Sequence, residues 1–244
     1  MSEGDRSARV TLKQVHAQAE HSSWWTNHLS VRLACAFVVV FVRIGVSPNT
    51  VTVLSAITSI GGAALVLWSG GARWAAAVFA IAAQVGYALD GADGILARVT
   101  GTGSMFGGWL DLTLDRAVHV AVLLLLAASF APRGGVSADV LVYLVPHALL
   151  LALSLVYHNG VNLLSVLAPY SARGSTPRGA VFGGTLRGLV KAACDFGFML
   201  FVLSIGMLTG RLELSVWGLI VTYAIGIIAL GLHVRSVSRL GQRP

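Results

Sequence analysis

Six long apolar runs follow one another along this 244-residue chain, and they constrain its fold more than any other feature. They cover residues 48–69, 74–98, 104–131, 138–166, 188–208 and 213–234. A helix needs about 20 apolar residues to cross the hydrocarbon core of a bilayer. Only 11% of the residues are charged and the mean hydropathy is +0.78, which excludes a water-soluble domain, a disordered chain and a DNA-binding protein. The sequence therefore predicts an all-α, polytopic membrane protein with six transmembrane helices.

A shorter apolar run comes before these six. The ten residues between Arg32 and Arg43 are apolar, and as a helix they would rise about 15 Å, half the thickness of the hydrocarbon core. We therefore predict that residues 29–46 form an amphipathic helix in the membrane interface, anchored by Trp24 and Trp25. A short, tilted seventh span is the alternative.

Basic residues are distributed unevenly between the two ends of the predicted spans. Of the 17 lysines and arginines, 13 fall on the side of the two termini, three (Arg73, Arg133 and Arg211) fall on the other side, and Arg116 lies inside a run. Because basic residues accumulate in cytoplasmic loops, both termini are predicted to face the cytoplasm from the cell membrane. The predicted regions are a cytoplasmic N-terminal segment with the interfacial helix (1–46), a six-helix transmembrane domain (47–236) and a cytoplasmic tail (237–244).

Four aspartates interrupt the second and third apolar runs. They are Asp90, Asp93, Asp111 and Asp115. An ionised acid at the centre of a membrane helix costs about 2.5–3.5 kcal/mol, so four of them require compensation. At 100° per residue each pair shares one face of its helix. Because only a short turn separates the two helices, we expect the four carboxylates to converge, roughly 8–16 Å below the cytoplasmic edge.

Converging carboxylates repel one another unless they share protons or bind cations. Oxygen ligands suit hard divalent cations such as Mg²⁺, Mn²⁺ or Ca²⁺, and two such ions commonly assist displacement at phosphorus. Gly94, Ala97 and Gly107 leave room for a ligand beside the acids, and Arg98 is suited to a diphosphate. A set of structural ion pairs is disfavoured, because only Arg98 and Arg116 lie near four acids. An intramembrane cation transporter is the other function that places acids in spans, but it has no need of this glycine, alanine and arginine spacing.

The stretch from residue 90 to residue 115 reads DGADGILARVTGTGSMFGGWLDLTLD. It resembles the signature of the CDP-alcohol phosphotransferase (CDP-alcohol phosphatidyltransferase, class I) family, D-x2-D-G-x2-A-R-x8-G-x3-D-x3-D, at every fixed position. Six spans preceded by an interfacial helix also resemble the family. The resemblance implies a membrane transferase of phospholipid biosynthesis. Such an enzyme moves a substituted phosphate group from a CDP-linked donor, such as CDP-diacylglycerol, to an acceptor alcohol and releases CMP.

The resemblance also implies roles for individual residues. Asp90, Asp93, Asp111 and Asp115 would bind two divalent cations, Mg²⁺ or Mn²⁺, and Asp115 would also be the general base for the acceptor hydroxyl. The residues implied for the CDP-linked donor are Pro48, Asn49, Thr52, Asp90, Gly94, Ala97, Arg98, Ser104 and Gly107. Plain helix capping is the alternative for Ser47, Pro48 and Asn49.

The acceptor is less closely defined by the sequence. Arg187, Lys191 and Asp195 share an i, i+4 stripe at the start of the fifth run. With Arg173 and Arg178 in the preceding loop they are suited to a phosphorylated polyol. The alternative is an ion pair between Lys191 and Asp195 beside ordinary cytoplasmic basic residues. His119, His147 and His158 are predicted to pack or to line a pocket rather than to bind a metal.

Two features bear on which alcohol is used. Asp115 followed by Arg116 resembles the inositol-phosphate branch of the family, whereas residues 158–162 lack the basic stretch usual in that branch. Inositol phosphate, glycerol phosphate, inositol and other alcohols therefore stay open. The expected partners are a CDP-linked lipid donor, a small alcohol acceptor and the lipid bilayer, without nucleic acid. Small residues along the spans are compatible with a homodimer or with packing inside one chain.

Overall fold

The computed structural model describes residues 11–19, 26–131, 138–171 and 191–240. The secondary structure of these residues is helical, and no strand occurs among them. After a short helix α1 (Leu12–Ala17) and a π-helical turn (Thr26–Ser30), the longer helices are α2 (Val31–Ile44), α3 (Pro48–Trp68), α4 (Arg73–Thr100), α5 (Met105–Phe130), α6 (Ala138–Ser171), α7 (Phe196–Thr209) and α8 (Leu212–Leu240).

Local sequence determines where the helices that carry the aspartates begin and end. The Ser47 hydroxyl accepts a hydrogen bond from the Thr50 amide at 3.2 Å, which caps α3. Helix α4 ends at Gly101, which has a left-handed φ of 69°. Ser104 then caps α5 by accepting a hydrogen bond from the Gly107 amide at 3.0 Å. The expected turn between the two helices is therefore present.

The two aspartate helices do not pack closely on each other. Helix α3 packs extensively against both α4 and α5, whereas direct backbone contact between α4 and α5 is slight. The short connection between them would have allowed direct packing. Instead α3 is their common neighbour, and the space between α4 and α5 is left for the cavities described below.

The other helices surround this group of three. Helix α2 packs against α4, and their contact is a small core that includes Val38 and Leu96. Helix α7 joins α4 to α8, and α6 packs against α8 and α5. The larger core lies among these helices and includes Phe79, Met199 and Tyr223, which are each fully buried.

Six helical segments in the described ranges are long and apolar enough to cross a membrane. They are Thr26–Ile44, Pro48–Trp68, Arg73–Thr100, Met105–Phe130, Leu144–Val161 and Leu212–Leu232. Large apolar side chains point outward from them; Ile81, for example, is 69% exposed. A surface of this kind suits lipid rather than water. The prediction of an all-α, multi-pass membrane protein is confirmed.

This set of six differs in membership from the predicted set. Thr26–Ile44 meets the length and composition of a span, so the interfacial position of residues 29–46 stays a prediction. The predicted fifth span, 188–208, begins outside the described residues. Within them it is represented by α7, whose 14 residues form a shorter apolar helix.

The prediction that Asp195 continues the helical stripe of Lys191 is wrong. The backbone leaves the helix at Cys194, and Asp195 is extended, with φ −71° and ψ 136°. The Asp195 carboxylate accepts hydrogen bonds from the amides of Gly197 at 3.0 Å and Phe198 at 3.4 Å. Asp195 is therefore the N-cap of α7 rather than a member of the preceding turn.

Gly86 allows α3 and α4 to approach closely one turn before the first aspartate. A Cβ atom at Gly86 would lie 2.1 Å from the Ser59 hydroxyl and 3.2 Å from the Ser55 carbonyl oxygen. Gly86→Ala should therefore lower the melting temperature in detergent, because backbone as well as side-chain atoms must move. The matched control is Gly61→Ala, where a Cβ atom meets nothing within 4 Å and the higher helix propensity of alanine favours stability. Equal melting temperatures for the two variants would contradict this account.

Candidate active site

The first of two cavities lies between α4, α2 and the start of α5. It has a volume of about 200 Å³. Five residues of the predicted site line it, namely Asp90, Asp93, Gly94, Arg98 and Asp111. Thr26, Ser30, Val31 and Ala34 form the opposite wall. The N-terminal helix thus closes the side of the cavity that the aspartate helices leave open.

Asp90 is the centre of the acidic cluster. It lies close enough to Asp93, Asp111 and Asp115 for the charges of all three to repel its own. Asp90 therefore lies within electrostatic range of the other three acids, although α4 and α5 scarcely touch. Such a cluster attracts cations, because each added positive charge relieves repulsion among several acids.

Asp93 is held from two sides. Its side chain is 5% exposed, and it accepts hydrogen bonds from the Thr52 hydroxyl of α3 and, at 2.5 Å, from the Gly94 amide. Thr52 Oγ1 also lies 3.1 Å from the Pro48 carbonyl oxygen, so that oxygen and Asp93 share the one hydroxyl proton. The entry to α3 therefore supports the motif directly.

Asp115 has a different set of neighbours. Its Oδ2 atom accepts a hydrogen bond from Arg116 Nη1 at 2.5 Å, and Arg116 Nε donates to Asn159 Oδ1 on α6 at 3.0 Å. His119 Nδ1 lies 3.5 Å from the other oxygen, Oδ1. The same His119 nitrogen lies 3.2 Å from the Asp115 carbonyl oxygen. Arg116 thus holds Oδ2 directly, while His119 packs beside Oδ1.

The second cavity lies on the other side of Asp90. It has a volume of about 240 Å³ and is lined by Asp115, His119, Tyr157, His158, Lys191 and Asp195, among others. The aspartate cluster therefore has a cavity on each side. The first contains Asp93, Arg98 and Asp111, and the second contains Asp115.

The histidines of the second cavity pack against aromatic rings. The His119 ring stacks on Phe196 with the centroids 3.4 Å apart, and it meets the His158 ring edge-on at 5.0 Å. His158 Nδ1 lies 2.7 Å from the Ser154 carbonyl oxygen, and because that oxygen only accepts, this nitrogen carries the proton. The rings therefore line the cavity wall, while His147 is buried elsewhere on α6.

The remaining residues predicted to bind the donor lie outside the lining of the first cavity. Pro48, Asn49 and Thr52 are on the first turns of α3, Ala97 is on α4, and Ser104 and Gly107 are at the start of α5. Several of them meet at one place. A Cβ atom at Gly107 would lie 3.0 Å from Asn49 Oδ1 and 3.2 Å from Ser104 Oγ. This group adjoins the acidic cluster, since Thr52 contacts Asp93 and Gly107 lies one turn before Asp111.

Of the residues predicted for the acceptor, Lys191 lines the second cavity. Arg173, Arg178 and Arg187 lie outside the described residues. His119, which was predicted to pack or to line a pocket, lines the second cavity, whereas no sequence motif indicated Asn159 or Tyr87. Asp195 gave a usable signal, since an aspartate directly before an apolar run marks a helix N-terminus.

The N-terminal segment contacts the motif itself. Arg98 Nε donates a hydrogen bond to the Gln18 carbonyl at 2.8 Å. Arg98 is thus the point at which the turn after α1 meets the rim of the first cavity. No pattern in the sequence relates these residues, which are 80 positions apart.

The chemistry of the cluster suits a hard divalent cation, because its donors are carboxylate oxygens. Within the described parts of the chain, no three His, Cys, Asp or Glu side chains are placed closely enough to enclose a metal ion. Asp93 and Asp115 are engaged by Thr52 and Arg116 instead. Binding an ion would therefore require these carboxylates to turn toward Asp90.

Comparison with known proteins identifies the family. Residues 45–234 match the CDP-alcohol phosphatidyltransferase family. Over 81 residues the chain is 37% identical to the phosphatidylinositol phosphate synthase of Corynebacterium glutamicum, and the alignment covers 33% of this chain and 35% of that protein. The similarity to this relative thus spans about a third of its length. Because the family match covers most of the sequence, the chain belongs to the CDP-alcohol phosphatidyltransferases, which are membrane transferases of phospholipid biosynthesis.

Proposed function

We propose that this protein transfers a phosphatidyl group from a CDP-linked lipid, such as CDP-diacylglycerol, to a small alcohol and releases CMP. The observation that carries the proposal is the pair of cavities that meet at Asp90. One contains Arg98 and most of the acidic cluster, and the other contains Asp115. Two separate compartments on either side of one acidic centre suit a reaction between two substrates.

The first cavity is proposed to hold the diphosphate end of the donor. Arg98 supplies the positive charge that a diphosphate needs, and Gly94 leaves space beside it, since the nearest atoms to an added Cβ belong to Arg98 itself at 3.6 Å. The group formed by Asn49, Ser104 and Gly107 is proposed to contact the cytidine nucleotide. The two lipid chains would then extend sideways between helices into the bilayer.

Four converging carboxylates cannot receive a diphosphate without added positive charge. We propose that Asp90, Asp93, Asp111 and Asp115 bind two divalent cations, Mg²⁺ or Mn²⁺. When bound, such cations neutralise the donor diphosphate and the charge that develops on the departing CMP. The residues around the cluster would then serve to hold the four carboxylates near Asp90.

The second cavity is proposed to hold the acceptor, with Asp115 as the general base. The acceptor oxygen attacks the β-phosphorus, the bond from that phosphorus to the bridging oxygen breaks, and CMP leaves with the bonding electrons. Asp115 accepts the proton of the attacking hydroxyl. Arg116 and His119 hold the carboxylate in the orientation that this transfer requires.

The acceptor is proposed to be a polyol phosphate, either inositol phosphate or glycerol phosphate. The partial similarity to a phosphatidylinositol phosphate synthase and the cationic Lys191 beside the second cavity support this class. Arg173, Arg178 and Arg187 are proposed to complete the phosphate site.

We also propose that the protein lies in the cell membrane with its termini and active site toward the cytoplasm, and that it can form a homodimer.

The release of CMP from a defined donor tests this function. Purified protein in lipid nanodiscs is mixed with CDP-diacylglycerol and Mg²⁺, and then with inositol phosphate, glycerol phosphate, inositol or serine in separate reactions. We expect CMP release that depends on one of the phosphorylated polyols, with an equal amount of new phospholipid. A cation transporter would release no CMP with any alcohol, and strong stimulation by serine alone would contradict the proposed acceptor class.

A further inference from the structure

Tyr87 lies on the wall that the two cavities share. Only Tyr87 and Asp90 line both of them in the described part of the chain. The two residues are three positions apart on α4, so they face the same side of the helix. Asp90 belongs to the acidic cluster, whereas Tyr87 has no part in the mechanism described above.

The Tyr87 hydroxyl is tied to two distant segments. Thr26 Oγ1 donates a hydrogen bond to Asp195 Oδ2 at 2.6 Å and lies 3.3 Å from the Tyr87 hydroxyl oxygen. A threonine hydroxyl has one proton, and here it is directed to Asp195. The Tyr87 hydroxyl proton is then available to Thr26 and to Asp195, both of which are hydrogen-bond partners of Tyr87. This set of hydrogen bonds, which we call the Thr26–Tyr87–Asp195 cluster, links the N-terminal turn, α4 and the start of α7.

The Tyr87 ring is held as firmly as its hydroxyl. It packs edge-on against Phe196, with the centroids 6.3 Å apart. Gly197 lies directly against the ring, since a Cβ atom there would be 2.4 Å from two ring carbons. Gln84 Nε2 donates to the Gly197 carbonyl at 3.1 Å, which fastens α4 to α7 one turn away. The ring therefore cannot swing toward α7 to open a passage.

We propose that Tyr87 is a positioning residue that separates the donor cavity from the acceptor cavity, so that the substrates meet only at Asp90. This inference rests on the proposed function. Water is the competing nucleophile in any transfer from an activated phosphate. In this proposal, when alcohol fills the acceptor cavity, water reaches the attacking side of the donor phosphorus by passing Tyr87.

The competing reaction is hydrolysis of the donor. A water oxygen attacks the same β-phosphorus, the bond to the bridging oxygen breaks, CMP leaves, and the proton from water passes to Asp115 or to solvent. The products are CMP and phosphatidic acid instead of CMP and a new phospholipid. The ratio of phosphatidic acid to new phospholipid, at saturating acceptor, therefore measures how well the wall excludes water.

Two substitutions test separately the Tyr87 side chain and the Thr26 hydroxyl that holds it in place. Tyr87→Leu removes the ring and the hydroxyl, and Thr26→Val removes the hydroxyl that joins Tyr87 to Asp195. We expect Thr26→Val to raise the hydrolysis-to-transfer ratio by about fivefold, the factor that corresponds to one neutral hydrogen bond. Tyr87→Leu should raise it further. Thr26→Ser keeps the hydroxyl and should restore the ratio of the unaltered protein.

Thr58→Val is the matched control, because the Thr58 hydroxyl donates only to the Leu54 carbonyl of its own helix, at 2.7 Å. Its ratio should not change. If folded Thr26→Val and Tyr87→Leu lose transfer and hydrolysis in parallel, with an unchanged ratio, the inference is overturned while the proposed function stands. If Tyr87→Leu does not fold, Thr26→Val and its serine counterpart decide the question. If the unaltered protein releases no CMP at all, the proposed function itself fails.

Discussion

Asp115→Asn is expected to lower the rate of CMP release by at least about a hundredfold, the minimum usually associated with a general base. Asparagine keeps the shape of the side chain, and its oxygen can still accept the hydrogen bond that Arg116 donates to Asp115 at 2.5 Å. It cannot take the proton of an alcohol, however, and it has no charge with which to hold a cation. The measurement is the initial rate of CMP release at saturating donor and acceptor.

The variant should remain folded, because neutralising Asp115 removes one of the charges that repel Asp90. Its elution volume and melting temperature in detergent check this point. Glu213→Gln is the matched control, since this acid lies exposed at the start of α8 and away from both cavities. A folded Asp115→Asn protein that works at the rate of the Glu213→Gln variant would refute the assignment of the base.

Removal of divalent cations is expected to abolish activity, and added Mg²⁺ or Mn²⁺ should restore it. The physical reason is that the carboxylates around Asp90 repel a diphosphate unless positive charge lies between them. The experiment compares CMP release in EDTA with release in EDTA that has been saturated with Mg²⁺ beforehand. Activity that is indifferent to chelation would remove the metal from the proposed mechanism.

A second readout does not depend on turnover. An ion that binds only the folded protein raises its melting temperature as the ion concentration rises. We expect Mg²⁺ to stabilise the unaltered protein and to stabilise Asp93→Asn and Asp115→Asn less. An equal shift for all three proteins would place the ion elsewhere.

The helix ends and helix faces around the site could be predicted, because residues close together in the sequence determine them. Gly101 has to adopt a left-handed conformation and Ser104 has to cap the next helix, and both are visible as residue types in the sequence. Helical periodicity then placed Asp90 and Asp93 on one face of α4. Together with the i, i+4 spacing of Asp111 and Asp115, these facts predict that the four acids lie near one another, and Asp90 does lie within electrostatic range of the other three.

The relations between distant segments could not be predicted in this way. Periodicity gives the face of a helix but not the neighbour that it meets, so it did not predict that α3 packs against both α4 and α5. The hydrogen bonds from Arg116 to Asn159 and from Arg98 to Gln18 join residues 43 and 80 positions apart. Nothing in the composition of either partner indicates the other.

The break in the helix before α7 was not predicted, although the sequence contains a signal for it. The apolar run from 188 to 208 continues across Asp195, and a hydropathy average passes over one polar residue. The sequence Asp195-Phe196-Gly197 nevertheless has the order expected at a helix start, with a capping acid first. Attention to capping rather than to hydropathy would have placed the boundary correctly.

The hydrogen bond between Thr26 and Asp195 also has a consequence for biosynthesis. Helices leave the ribosome in chain order, and these two residues are 169 positions apart. At translation rates of about 5–20 residues per second, Thr26 waits roughly 10–30 seconds for its partner. During that interval the N-terminal segment can already pack on α4 through α2 and through the hydrogen bond from Arg98 to Gln18. Newly made chains therefore pass through a stage in which Thr26 and Tyr87 are in place while Asp195, the third member of their cluster, is still missing.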